Sequence, residues 1–166
     1  MFSPRVRKLA LTVHLTLSVG WIGAVVSYLA LGIAAKTSGD AETVRAAWIG
    51  MDLVGWFAIV PLALVSLLTG IVMALGTKWG LLRYYWVVFS FALTAFATAV
   101  LLAHMRTISS VAGAARKADG AALFELGSDL AHPGIGLAVP VILVLNMYKP
   151  PGMTRYGQRK QRCLPD

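Results

Sequence analysis

The chain has 166 residues, 58% of them hydrophobic and only 13% charged, against roughly 45–50% and 25% in ordinary soluble domains. The length fits one domain, and a soluble domain of this size has no core that could bury so much apolar surface. The net charge of +8 is no nucleic-acid signature, because the basic residues cluster beside long apolar runs, where anionic headgroups attract each by about 1 kcal/mol.

A bilayer core is crossed by about 20 apolar residues in a helix, and four runs meet that need. The first, residues 9–35, contains no charge. Pro4, Arg5, Val6, Arg7 and Lys8 before it resemble the basic start of a secretory signal. A signal's apolar stretch is usually about 7–15 residues, whereas this run continues through Trp21 and Tyr28 without a small-residue cleavage site. An uncleaved first helix is expected. Thr16, Gly20, Gly23 and Ser27 form a stripe of small residues along it, and such stripes let helix backbones approach closely in lipid.

The second helix is expected over residues 41–76, started by Asp40 or Ser38 as the cap, with Glu42 complementing the positive end of the helix dipole. Pro61 removes a backbone donor near mid-membrane and predicts a kink. The segment 77–86, TKWGLLRYYW, places Trp79, Tyr84, Tyr85 and Trp86 at headgroup level as an aromatic belt.

The third helix is expected over residues 81–105, with a small-residue stripe at Ala92, Ala95, Ala99 and Ala103. That stripe predicts packing against the first helix or a second copy. Residues 106–128 read as an outer loop containing a short surface helix, with Ala114, Ala115, Ala118, Ala122 and Leu126 at helical spacing. The fourth helix is expected over residues 129–148, with His132 and Pro133 near its start and a kink at Pro140. A basic tail, 149–166, follows. Cys163 is alone in the chain and implies no disulfide.

Orientation follows from the bases in the short loops. Arg5, Arg7, Lys8, Lys78, Arg83, Lys149, Arg155, Arg159, Lys160 and Arg162 fall on the side of the N-terminus. Lys36, Arg45, Arg106, Arg116 and Lys117 fall on the other, sharing their loops with Asp40, Glu42, Asp119, Glu125 and Asp129. The expectation is an all-α, four-transmembrane-helix bundle with both termini cytoplasmic.

Asp52 is the one charge in the apolar run 46–76. About twelve residues beyond the cap, or about 18 Å of helix, it belongs at or just below the outer interface. His104 and His132 arrive near the same depth, so Asp52, His104 and His132 are candidate ligands for a transition metal. His104 and His132 alone are candidate haem ligands. Met51 and Met105 adjoin two of these positions. An acid beside a histidine also makes a proton relay, and a structural hydrogen bond across the bundle is an equal alternative. His14, six residues after Lys8, lies near the opposite face and reads as an interior histidine. No Ser-His-Asp order, CxxC, P-loop, paired carboxylate or inverted repeat is present.

The stretches HLTLSVGWIGAV, MDLVGWFAIVPLALVSLLTG, ALGTKWGLLRYYWV, LLAHM and YKPPGMTRYG resemble an uncharacterised family of bacterial four-helix integral membrane proteins. That resemblance covers most of the chain outside the outer loop. It implies the four-helix fold and a bacterial inner-membrane location, and brings no activity. The pattern of His14 followed by GWIGA is similar, more distantly, to copper-resistance membrane proteins and haem-linked bundles. Lys78 and Tyr84 stand where proline and histidine are expected in the family, which weakens a ligand role for that loop. The functional expectation is a non-enzymatic membrane protein with a polar or metal-binding site at its outer end. The alternatives are a haem-binding electron-transfer subunit and an assembly partner. The expected partners are the bilayer, anionic headgroups at the basic segments, and a second copy or another membrane protein, without nucleic acid.

Overall fold

The computed structural model describes residues 2–77, 80–126, 148 and 152–162. His132, Pro140, Lys78, Trp79, Lys149, Cys163 and the expected fourth helix up to residue 147 lie outside the described residues. Among the described residues, three helices are long and apolar enough to cross a membrane.

α1 spans Pro4–Thr37. Ser3 starts it by accepting a hydrogen bond from the Val6 N–H at 3.4 Å, and Pro4 occupies the first turn, where its missing donor costs nothing. At 34 residues it is about 51 Å long. Trp21 and Ala35 are its buried residues, while Leu9, Val19, Val26 and Ile33 are all more than half exposed. In water such a helix would leave most of its apolar surface solvated; in hydrocarbon that surface is already satisfied.

α2 spans Ala41–Val54 and starts on Asp40, whose carboxylate accepts from the Thr43 N–H at 2.9 Å and the Thr43 hydroxyl at 2.6 Å. Ser38 supports the cap by accepting from the Asp40 N–H. The helix then widens into one π-turn, Gly55–Ile59, closed by the Val60 N–H on the Gly55 carbonyl, and resumes as α3, Val60–Gly76. The expected device at Pro61 therefore takes the form of a π-turn just ahead of it. Proline lacks an N–H and its ring crowds the carbonyl four residues back, and one extra residue in the turn removes both conflicts.

α4 spans Tyr85–Ala115. It starts four residues later than the sequence predicts and ends ten later, so Ala114 and Ala115 belong to this long helix and not to a separate surface helix. Ile108, Ala112 and Ala115 are buried, and this packed stripe carries the helix past Arg106. A turn then leads to α5, Ala121–Phe124, one turn anchored by the fully buried Leu123.

α1 packs on α2, the π-turn and α3, and α4 packs on α2 and α3. Of the two partners that the small residues predict, α4 is thus not among the main ones of α1. Tyr28, Trp21 and Leu31 face the shared core instead, because large apolar side chains bury more area than a glycine stripe does. Thr16, Gly20, Gly23 and Ser27 lie on an exposed face, as do Ala92, Ala99 and Ala103 on α4.

At the near end, where α1 and α4 begin, the Phe2 N–H donates to the Gly76 carbonyl at 3.0 Å. Residues 152–154 lie antiparallel to 83–85. The Tyr85 N–H donates to the Gly152 carbonyl at 3.2 Å and the Thr154 N–H to the Arg83 carbonyl at 3.0 Å. Thr154 also donates its hydroxyl to the Leu82 carbonyl at 2.6 Å and accepts from the Gly157 N–H at 3.1 Å, capping α6, Arg155–Arg162. Both described ends of the chain therefore meet at one end of the bundle.

Candidate functional site

Asp52 sits on α2, one turn before the π-turn, its side chain 17% exposed. Facing it on antiparallel α4 is Ser109, whose hydroxyl donates to Asp52 Oδ1 at 2.6 Å. Trp56, one turn beyond Asp52, donates its indole N–H to Ser109 Oγ at 2.9 Å. A hydroxyl has one proton and two lone pairs, so the direction of the chain is fixed: Trp56 to Ser109 to Asp52. Arg116 Nη2 lies 3.9 Å from Asp52 Oδ2 with its side chain half exposed, an ion pair at the long limit that contributes little. Tyr28 stands within electrostatic range of Asp52, and its buried hydroxyl has no hydrogen-bond partner among the described residues.

The rotation of α2 that brings Asp52 to Ser109 is set by packing. The Met105 thioether lies against Gly55, where any Cβ would collide with it, and Met51 lies against Gly32. Met105 is fully buried. Gly32 is five residues before the end of α1, so this level lies about 8 Å from the end of that helix.

A second anchor holds the far end. Arg45 donates through Nε to the Ala115 carbonyl at 3.1 Å and through Nη2 to the Ala118 carbonyl at 2.6 Å. It thereby satisfies carbonyls that the end of α4 leaves without intrahelical partners. Its ion pair with Asp119 at 3.0 Å is nearly worthless beside that, because Asp119 is 94% exposed. In the α1–α2 loop, the hydrogen bonds from the Thr43 hydroxyl and N–H hold the Asp40 carboxyl below its ordinary value of 3.8.

A separate polar ladder joins α1 to α3 nearer the other end. His14 Nδ1 lies 2.8 Å from Thr69 Oγ1, and Ser18 Oγ lies 3.0 Å from Ser66 Oγ. The Thr69 hydroxyl proton goes to the carbonyl of Val65 at 2.9 Å or Ser66 at 3.0 Å. With its proton on either carbonyl, the Thr69 oxygen accepts from His14 Nδ1–H. Gly70 lies under the ring edge.

The sequence candidates thus divide. Asp52 is turned inward toward Ser109, near the far end of the bundle. His104 is half-buried on α4, five residues or about 7.5 Å of rise before Ser109. His132 lies outside the described residues. Among the described residues no group of three His, Cys, Asp or Glu side chains could hold a metal ion. Ser109, Trp56 and Arg45 are the site residues that sequence reasoning missed. The pair Ser109 and Ser110 in a helix-compatible stretch was the available signal, hidden by placing the helix end at residue 105. No family model matches the chain, and neither the curated proteins nor the solved structures compared with it include a match.

Proposed function

We propose that this chain is a non-enzymatic integral membrane protein of the bacterial plasma membrane, with four crossings, both termini cytoplasmic, and a polar site at its outer end centred on Asp52. The crossing number is supported by the ends of the described helices. Leu126 follows α5 at the far end, whereas Gly152 is bonded to the first residue of α4 at the near end. In this reading a fourth crossing connects those two ends. The exposed small-residue stripes on α1 and α4 offer it seats of close backbone approach. Orientation is supported by the basic near end. Reporter fusions after residues 38, 78, 118 and 166 should read out, in, out, in; a cytoplasmic signal at 118 overturns the orientation.

The site reading is carried by one observation: an acid inside a membrane-spanning helix, facing the bundle and accepting a hydrogen bond from a hydroxyl that an indole N–H holds in place. Acids in such segments are costly and mark proton or ion sites by default. A proton is the ligand this arrangement serves best, since Ser109 turns its proton to the carboxylate and the Trp56 indole N–H has no lone pair for a metal. The full-length protein in vesicles carrying an internal pH dye tests it: an imposed gradient should collapse faster with the wild type than with Asp52→Asn, and Asp52→Glu should retain most of the rate. Equal rates for wild type and Asp52→Asn overturn the proton reading. Haem ligation by His104 and His132 is the competing reading, and a Soret band in protein purified from haem-replete cells, lost in His104→Ala, would decide for it.

A further inference from the structure

The charges of the described residues are divided by end. At the far end Lys36, Arg45, Arg106, Arg116 and Lys117 are matched by Asp40, Glu42, Asp52, Asp119 and Glu125. At the near end lie Arg5, Arg7, Lys8, Arg155, Arg159, Lys160 and Arg162, with no acid among the described residues of that end. Four of these seven cations lie in α6, which has eight residues. A helix that short does not persist in water by itself, and Arg155 and Arg159, one turn apart, repel each other.

Two features keep it in place. Thr154 caps it, and Gly157 is buried on the Arg83 backbone so closely that a Cβ would strike the carbonyl. With Gly157 facing inward, Arg155 and Arg159 fall on the opposite face of the helix and are exposed, and the exposed Tyr156 ring lies between the two faces. The clasp holds this basic face beside Tyr85, the first residue of α4, which is itself half exposed. That is the level at which the apolar span begins and where a tyrosine ring sits among headgroups.

We propose that α6 is a docking surface for an anionic phospholipid leaflet, held in the plane of the lipid phosphates by its clasp on residues 82–85. The proposal rests on the reading that α1–α4 span the membrane. Lipid phosphate supplies the counter-charge that the described residues of this end do not, and a row of bases gains from it additively. Nothing in the clasp depends on the arginine side chains, since Thr154 and Gly157 engage backbone groups.

Cys163, the one cysteine of the chain, immediately follows α6 and is a natural site for an environment-sensitive fluorophore. The labelled full-length protein is placed in nanodiscs of phosphatidylcholine alone or mixed equally with phosphatidylglycerol, each containing a headgroup nitroxide lipid as quencher. Strong quenching is expected in the anionic discs, weak quenching in the zwitterionic ones, and reversal by molar salt. The docked-to-free ratio should fall about fivefold per arginine removed and about thirtyfold in R155Q/R159Q, while R155K/R159K keeps it. Equal quenching in the two lipids, or no change in R155Q/R159Q, overturns the proposal and hands the basic face to a soluble acidic protein or RNA. Failure of the spanning reading is separately visible: the protein would not co-purify with the discs at all.

Discussion

Replacing Ser109 by alanine tests the Asp52 site most sharply, because one oxygen serves both sides of the chain. The substitution removes a hydrogen bond to a carboxylate, a class worth about 1.5–3 kcal/mol. Asp52 keeps 17% of its side chain exposed and has Arg116 at 3.9 Å, so water and the guanidinium recover part of the loss, and the lower half of that range applies. Trp56 is 41% exposed, so its N–H finds a new partner at a cost of about 0.5 kcal/mol. The sum is about 2 kcal/mol, or roughly 4–8 °C in Tm for a chain of this size. The assay is thermal unfolding of the detergent-purified protein followed by tryptophan emission, to which Trp56 contributes directly. Ser110→Ala is the control. Its exposed hydroxyl donates to the Thr107 carbonyl within its own helix, and its loss should stay within about 0.5 kcal/mol. Equal shifts for the two alanines would refute the reasoning, because the network would then carry no more than a solvated serine.

Two more outcomes follow from the geometry. The Thr43 hydroxyl and N–H depress the Asp40 carboxyl in the folded state, so the cap's contribution is complete above its ordinary value of 3.8 and is lost as pH falls through the lower folded value. Wild type should therefore lose stability relative to Asp40→Asn on acidification below that value, measured as Tm against pH; parallel profiles would contradict it. Gly55→Ala should cost about 1–3 kcal/mol by forcing the Met105 thioether out of its fully buried seat. Combining it with Met105→Ala should cost less than the sum of the two single changes, and strict additivity in that cycle would place the methionine elsewhere.

Much of this architecture is written in local sequence. Long apolar runs need little beyond their own composition to become helices long and apolar enough to cross a membrane, so α1 and the α2–α3 run stand close to where the residues put them. Asp40 caps α2 because its short carboxylate reaches the N–H three residues on, an interaction within one turn. The uneven basic loops are a property of composition too. The tertiary structure decided the rest. α4 runs past Arg106 because Ile108, Ala112 and Ala115 pack into the bundle, and Arg45, 70 residues away along the chain, bonds the Ala115 carbonyl at its end; no local signal encodes those partners. Ser109 became the neighbour of Asp52 because Met105 settles into the space at Gly55 and fixes how α2 and α4 are rotated. The tail reached Arg83 because a glycine at 157 leaves room for its carbonyl. Helix formation depends on spacing within a dozen residues, whereas the choice of partner depends on the rotation and register of two helices, and only the packed side chains between them set those.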